Sequence, residues 1–217
     1  MKKRRKERIG RRSPTRRPKV RFTLFCEGKK TEPQYFRALR SHYSETLVSI
    51  EFGERGRPPI TLAEKARKFV KSAGSGRGKG RRPNLFEEHD QVWVVFDRDE
   101  HQRFDEAVLL CEANDIGVAR SNPCFEVWLI LHREDYDRPD DQSRVKREFH
   151  RLLSEHDQES PRVVFERLMT AVESAEARAE KLNMRRRKEG QPYGRPSSTV
   201  GELTRAIRKA GNRVGGA

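Results

Sequence analysis

Apolar positions along the chain alternate between strand-like runs and helix-like stripes. Residues 20–26 (VRFTLFC) alternate and then turn fully apolar, as a strand entering a core does. Pro33 follows Thr31 and Glu32, a helix start, and Tyr35, Phe36, Leu39 and Tyr43 then recur at helical spacing. Residues 47–52 (LVSIEF) form a weaker second strand, and 53–59 a loop. Thr61 is placed to cap a helix running to about Lys71, with Leu62, Ala66, Phe69 and Val70 on one face. Residues 72–83 (SAGSGRGKGRRP) read as a flexible loop. Residues 91–96 (QVWVVF) are the most apolar strand of the chain, and the unbroken run predicts burial on both faces. A helix over 104–114 and a short strand over 116–119 follow. Ser121-Asn122-Pro123 then signals helix entry before the bulky stretch CFEVWLILH.

This alternation implies right-handed βαβ units and a mostly parallel sheet of roughly four strands, flanked by helices, over residues 20–133. Residues 134–217 form a helical C-terminal extension. Within it, 144–184 read as amphipathic helix, 185–193 as a basic loop, and Ser198/Thr199 as the cap of a last helix to about Ala210. No internal repeat is present.

Charge divides the chain further. The 217 residues are 33% hydrophobic and 37% charged, with a net charge of +15. Residues 1–21 carry +11 of it, leaving +4 for the rest. Residues 1–19 therefore read as a disordered basic tail that attracts phosphate polyanions by counterion release, unless it serves only as a solubilising segment. No apolar stretch nears the ~20 residues of a bilayer span, and no secretory leader pattern opens the chain. Cys26, Cys111 and Cys124 have no CxxC spacing and sit among apolar residues, which predicts buried free thiols in a reducing cytoplasm. The six histidines show no zinc spacing, so no structural zinc is expected.

In open α/β sheets ligands bind at the carboxyl ends of the strands. Glu27 follows the first strand; Asp97, Asp99, Glu100 and His101 follow the apolar third; Arg120, Ser121 and Asn122 follow the fourth, with Glu126 one turn into the next helix. If strands one and three are neighbours, these acids meet at one edge. Carboxylates so close repel unless a cation stands between them. Such hard oxygen donors suit Mg²⁺, with Mn²⁺ as an alternative. Each acid alone is equally compatible with a cap or an Asx-turn.

The stretch C-E-G-K-K-T-E after the first strand, with D-R-D after a later one, resembles the Toprim domain of topoisomerases, primases and OLD-type nucleases. The stretch S-N-P-C-F-E-V-W-L-I-L-H at residues 121–132 resembles the RloB-like family in particular, a Toprim relative often encoded near restriction or phage-defence genes. The resemblance implies Mg²⁺-dependent phosphoryl transfer on DNA or RNA by a cytoplasmic anti-phage effector, and allows an ATPase partner. It makes Glu27 a general acid/base or metal ligand, and Asp97 and Asp99 the metal-binding pair. Glu126 has no counterpart in the general Toprim pattern; it reads either as a further ligand or as a capping contact with Asn122.

Other residues stay open between two roles. Gly28 allows close backbone approach or a positive φ. Lys29 and Lys30 either meet the scissile phosphate or are solvated turn charges. Arg120 binds phosphate or pairs with an acid. His101 shuttles protons or is structural. The basic clusters 77–82 and 185–188 track a nucleic-acid backbone or are exposed loops. A topoisomerase is disfavoured, because nothing here is large enough to supply strand-passage domains or a placed catalytic tyrosine. A haloacid-dehalogenase-like phosphatase expects its DxD after the first strand, where this chain has Glu-Gly. The rival from another class is a non-catalytic nucleic-acid-binding or adaptor subunit of a defence complex.

Overall fold

The computed structural model describes residues 20–43, 48–74, 90–98, 101–153 and 161–212. The basic tail, the 77–82 cluster, Asp99 and Glu100 lie outside the described residues. The described residues form eight helices and five strands: β1 (Val20–Cys26), α1 (Thr31–Tyr43), β2 (Val48–Arg55), α2 (Pro59–Gly74), β3 (Gln91–Asp97), α3 (Phe104–Glu112), β4 (Gly117–Asn122), α4 (Glu126–Ile130), α5 (Gln142–Leu153), α6 (Pro161–Leu168), α7 (Val172–Lys188), β5 (Ser197–Ser198) and α8 (Val200–Asn212). A 3₁₀ turn, Met169–Ala171, joins α6 to α7.

The sheet order is β2-β1-β3-β4-β5. The first four strands are parallel, and β5 closes the far edge antiparallel to β4. The expected four-strand sheet thus becomes five, because the C-terminal part returns two serines to the edge. A two-residue strand has no hydrophobic pattern to reveal it. Asn183 on α7 holds it instead: its side-chain amide donates to Ser198 O (2.7 Å) and its Oδ1 accepts from Ser198 N (3.2 Å).

Strand alternation sorts the core into two layers. Phe22, Leu24, Cys26, Val95 and Ala119 face α1, α4 and the C-terminal helices. Phe25, Val92, Val94 and Phe96 face α2 and α3. The central strand β3 is covered on both sides, as its apolar run required. All three cysteines are free and buried. Helix α2 starts at Pro59 rather than at Thr61: a proline at the first position has φ set for the helix and no N–H to lose. The basic run 185–188 is also not a loop. It forms the last turn of α7, where cations oppose the negative end of the helix dipole, and Arg185 and Arg186 pair with Asp137. No helix among the described residues is long and apolar enough to cross a membrane.

The C-terminal helices share the first of these layers. Val127–Ile130 of α4 are all buried. Tyr35 of α1 packs edge-on against Trp128, Phe125 and Phe165. Each such ring contributes roughly 1.5–3 kcal/mol by burial. On α7, buried Glu176 accepts from Thr204 Oγ1 (3.0 Å) and Arg208 Nη2 (2.8 Å), which ties α8 in place.

His132 follows α4 and lies in the same cluster. Its Nδ1 faces Trp128 O at 2.9 Å, so Nδ1–H donates; its Nε2 then accepts from the Tyr35 hydroxyl at 3.0 Å. Both nitrogens are used by the neutral ring, and burial lowers its pKa to about 4. Between that value and the ordinary ~6.5, the unfolded chain binds the proton that the folded one refuses. Stability therefore falls as pH drops from about 6.5 toward 4, by a few kcal/mol at most. Urea unfolding at pH 7 and pH 4.5 should show a larger acid loss for the wild type than for His132→Gln; equal losses would contradict the assignment.

Candidate active site

The carboxyl edge of the sheet is built by the ends of β1 and β3. Their register pairs Cys26 with Val95, and the Glu27 N–H continues the ladder to Val95 O at 2.9 Å. Glu27 is therefore held at the strand end rather than released into a loop. Its Oε2 accepts from the Asp97 backbone N–H (3.0 Å) and its Oε1 meets His101 Nε2 (2.8 Å). The expected neighbouring of strands one and three is thus present, and it brings Glu27, Asp97 and His101 together. Asp99 lies outside the described residues.

A residue that sequence reasoning assigned to helix initiation joins them. Glu32, in the first turn of α1, is only 4% exposed. Its Oε1 accepts from the Gly28 N–H at 2.8 Å. A Cβ on Gly28 would lie 1.7 Å from Glu32 Oε2, so the glycine serves this close approach; its φ is not positive. The signal was available in the sequence: Glu32 falls on the same helical stripe as Tyr35, Phe36 and Leu39.

The acids act on one another. Burial raises the Asp97 pKa well above the ordinary carboxylate value, and the charges of Glu32, Glu27 and Glu126 raise it further. Burial also raises Glu32, despite hydrogen bonds from its own N–H and that of Gly28, with Glu126 and Glu27 adding repulsion. Glu126 enters from the first turn of α4. Opposing this is the exposed Lys146 on α5, whose charge lowers the Asp97 pKa. No motif marked Lys146, because its helix lies outside the βαβ part.

The remaining predicted residues take other places. Lys29 and Lys30 are exposed, and the Lys29 side chain lies over Gly56, whose lack of a Cβ leaves room for it. Arg120 stacks on the Tyr193 ring (4.1 Å to its centroid) and donates to Pro192 O (3.4 Å), while burial lowers its pKa. Asn122 donates to Tyr193 O (2.7 Å) and accepts from Arg195 Nε (3.5 Å), so its side chain is directed to the segment 189–196, a strap before α8, rather than capping Glu126. Arg98 donates to the same Tyr193 carbonyl. Arg98, Arg120 and Asn122 thus fasten the segment 189–196 across the β3–β4 edge.

Among the described residues, no group of three or more His, Cys, Asp or Glu side chains is drawn closely enough to hold a metal ion. The donor chemistry nevertheless fits a hard divalent cation. Glu27, Glu32, Asp97 and Glu126 supply carboxylate oxygens alone, and two of them are held in the fold against their own charge. Removing one charge should relieve that repulsion. With metal chelated, Glu32→Gln keeps an acceptor for Gly28 and should melt about 2–4 °C above the wild type, the shift that roughly 1 kcal/mol gives a chain of this size. A raised carboxyl pKa also means that wild-type stability declines as pH rises above the ordinary carboxylate range, more steeply than in the variant. A lower melting temperature for Glu32→Gln would refute the repulsion.

The family model of RloB-like proteins matches residues 22–207, from the first strand to the last helix. No match was found among curated proteins or solved structures. The matched span takes in Glu27, Glu32, Asp97 and Glu126 together with the helices that cover them, and on that extent the chain belongs to the RloB-like protein family.

Proposed function

We propose that the chain is a Mg²⁺-dependent nuclease that hydrolyses phosphodiester bonds in DNA or RNA, with Mn²⁺ able to substitute, and that it is a cytoplasmic anti-phage effector. The observation that carries this reading is the convergence of four carboxyls at one sheet edge, two of them with pKa values raised by burial and mutual repulsion. A fold bears such a cost where a cation or a polyanion–cation pair relieves it. The Toprim-like Glu-Gly and Asp-x-Asp pattern supports the same class of reaction, and the neighbourhood of defence genes typical of the family leaves room for an ATPase partner.

Asp97, Glu32 and Glu126 would hold the cation, with Asp99 completing the Asp-x-Asp pair. When bound, the divalent ion polarises the phosphate, lowers the pKa of a water and neutralises charge on the leaving oxygen. Glu27 takes a different part. Both of its oxygens already accept hydrogen bonds, one from the Asp97 backbone and one from His101, so it is oriented rather than free. The Glu27–His101 couple is suited to carrying a proton: the two side chains are hydrogen-bonded to each other, and the imidazole is about one-third exposed to the solvent. Gly28 fixes Glu32, and Lys29, Lys30 and Lys146 supply counter-charge to a phosphate at the edge.

The rival reading, a binding or adaptor subunit, draws on the same engagement of Glu27 and on the open spacing of the acids. The two readings separate in one assay. Purified protein is incubated with DNA and RNA, single- and double-stranded, with Mg²⁺, Mn²⁺ or EDTA. The expected result is metal-dependent cleavage that falls by ~10³-fold or more in Asp97→Ala, the scale of losing a principal catalytic group. Binding without cleavage on every substrate would favour the adaptor.

A further inference from the structure

Beside the acids, the turns after β2 and β3 leave an open cleft of about 380 Å³ lined by Pro58, Pro59, Ile60, His101, Gln102 and Arg103. It shares His101 with the acid edge: Nε2 of that ring meets Glu27, while the same side chain forms a wall of the cleft. The opposite wall is two proline rings and an isoleucine, which are flat or apolar and present no side-chain charge. The rim is different. Arg57 pairs with Glu54 (2.9 Å), which also holds Lys65 (2.9 Å), and Arg103 pairs with Glu106. Lys29 and Lys30 have no ion pair among the described residues. The Lys29 side chain runs over Gly56, two residues before Pro58 in the cleft wall. A cleft with one apolar wall, edged by lysines and adjoining a carboxylate cluster, is complementary to a planar base attached to a phosphate backbone.

We propose that this cleft receives one nucleobase of a single-stranded nucleic acid, with the adjoining phosphates across Lys29 and Lys30. The proposal rests on the nuclease reading and narrows its substrate to strands whose bases are free. A base paired in a duplex cannot enter a slot of this size without leaving its stack. The prolines, Ile60 and the His101 ring offer stacking surface to any base, while Gln102 and Arg103 at the mouth can hydrogen-bond its edge.

The test separates binding from chemistry. Fluorescence anisotropy is measured with Asp97→Asn protein, so that the strand stays intact, on a labelled twelve-residue oligonucleotide carrying one abasic position moved along its length. One abasic position should weaken binding by about 10-fold, the scale of losing one stacked base. The matching duplex should bind at least as much more weakly. Adding Ile60→Asp should weaken binding of the intact strand and abolish the abasic penalty. Gln102→Glu, at an exposed position, gives a second reading should Ile60→Asp melt early. A flat abasic walk, equal binding of the duplex, or displacement of the strand by a free mononucleotide at similar concentration overturns the proposal. If the wild type cleaves while the walk is flat, only the base cleft falls. If the walk shows its single position but no substrate is cleaved, the cleft stands and the nuclease reading falls. Absence of any nucleic-acid binding overturns both.

Discussion

The parallel pairing of β1 with β3 is the constraint on which the candidate site depends. With Cys26 opposite Val95, Glu27 emerges one step beyond the ladder, beside the Asp97 backbone N–H. A shift of one residue would turn Glu27 to the other face of the sheet and bury a different set of side chains. That register is held by the two-sided burial of β3, with Val95 against one layer and Val94 and Phe96 against the other. Core packing and site geometry are thus the same requirement seen from the middle and from the end of one strand.

The site works against the fold that holds it. Glu32 is placed by a helix stripe that is otherwise aromatic and aliphatic, and its carboxyl lies where water is largely excluded. Its own backbone N–H and that of Gly28 donate to it, while Glu126 and Glu27 push against it. Nothing in core packing calls for a carboxylate there; an apolar residue of similar size would serve the stripe better. Repulsion of this kind is concentrated at one sheet edge, where perturbed carboxyls gather more often at functional positions than in a packed core.

The C-terminal helices do more than cover one face. The segment 189–196 is drawn over the β3–β4 edge by Arg98, Arg120 and Asn122, with Arg186 donating to Arg195 O at 3.2 Å. Arg120 is therefore a fastening residue, its charge turned onto an aromatic ring and a carbonyl. From the other side, α5 brings Lys146 toward the acids. The site is bordered by parts of the chain that lie more than a hundred residues beyond Glu27.

The linear pattern determined the alternation of strands and helices, the buried central strand, the free thiols and the candidate acids Glu27, Asp97 and Glu126, because each leaves a local trace: a period, a run or a residue type at a strand end. It also held the clue to Glu32, whose spacing matches the buried stripe, but the adjoining proline offered a simpler local explanation. Only the tertiary structure decided that β1 and β3 are neighbours, that Gly28 makes room for Glu32, that Arg120 and Asn122 fasten a strap, and that two serines form a fifth strand. These depend on contacts between residues far apart in the chain. A hydrophobic period reports which face a residue turns to the core; it does not report which distant residue waits there.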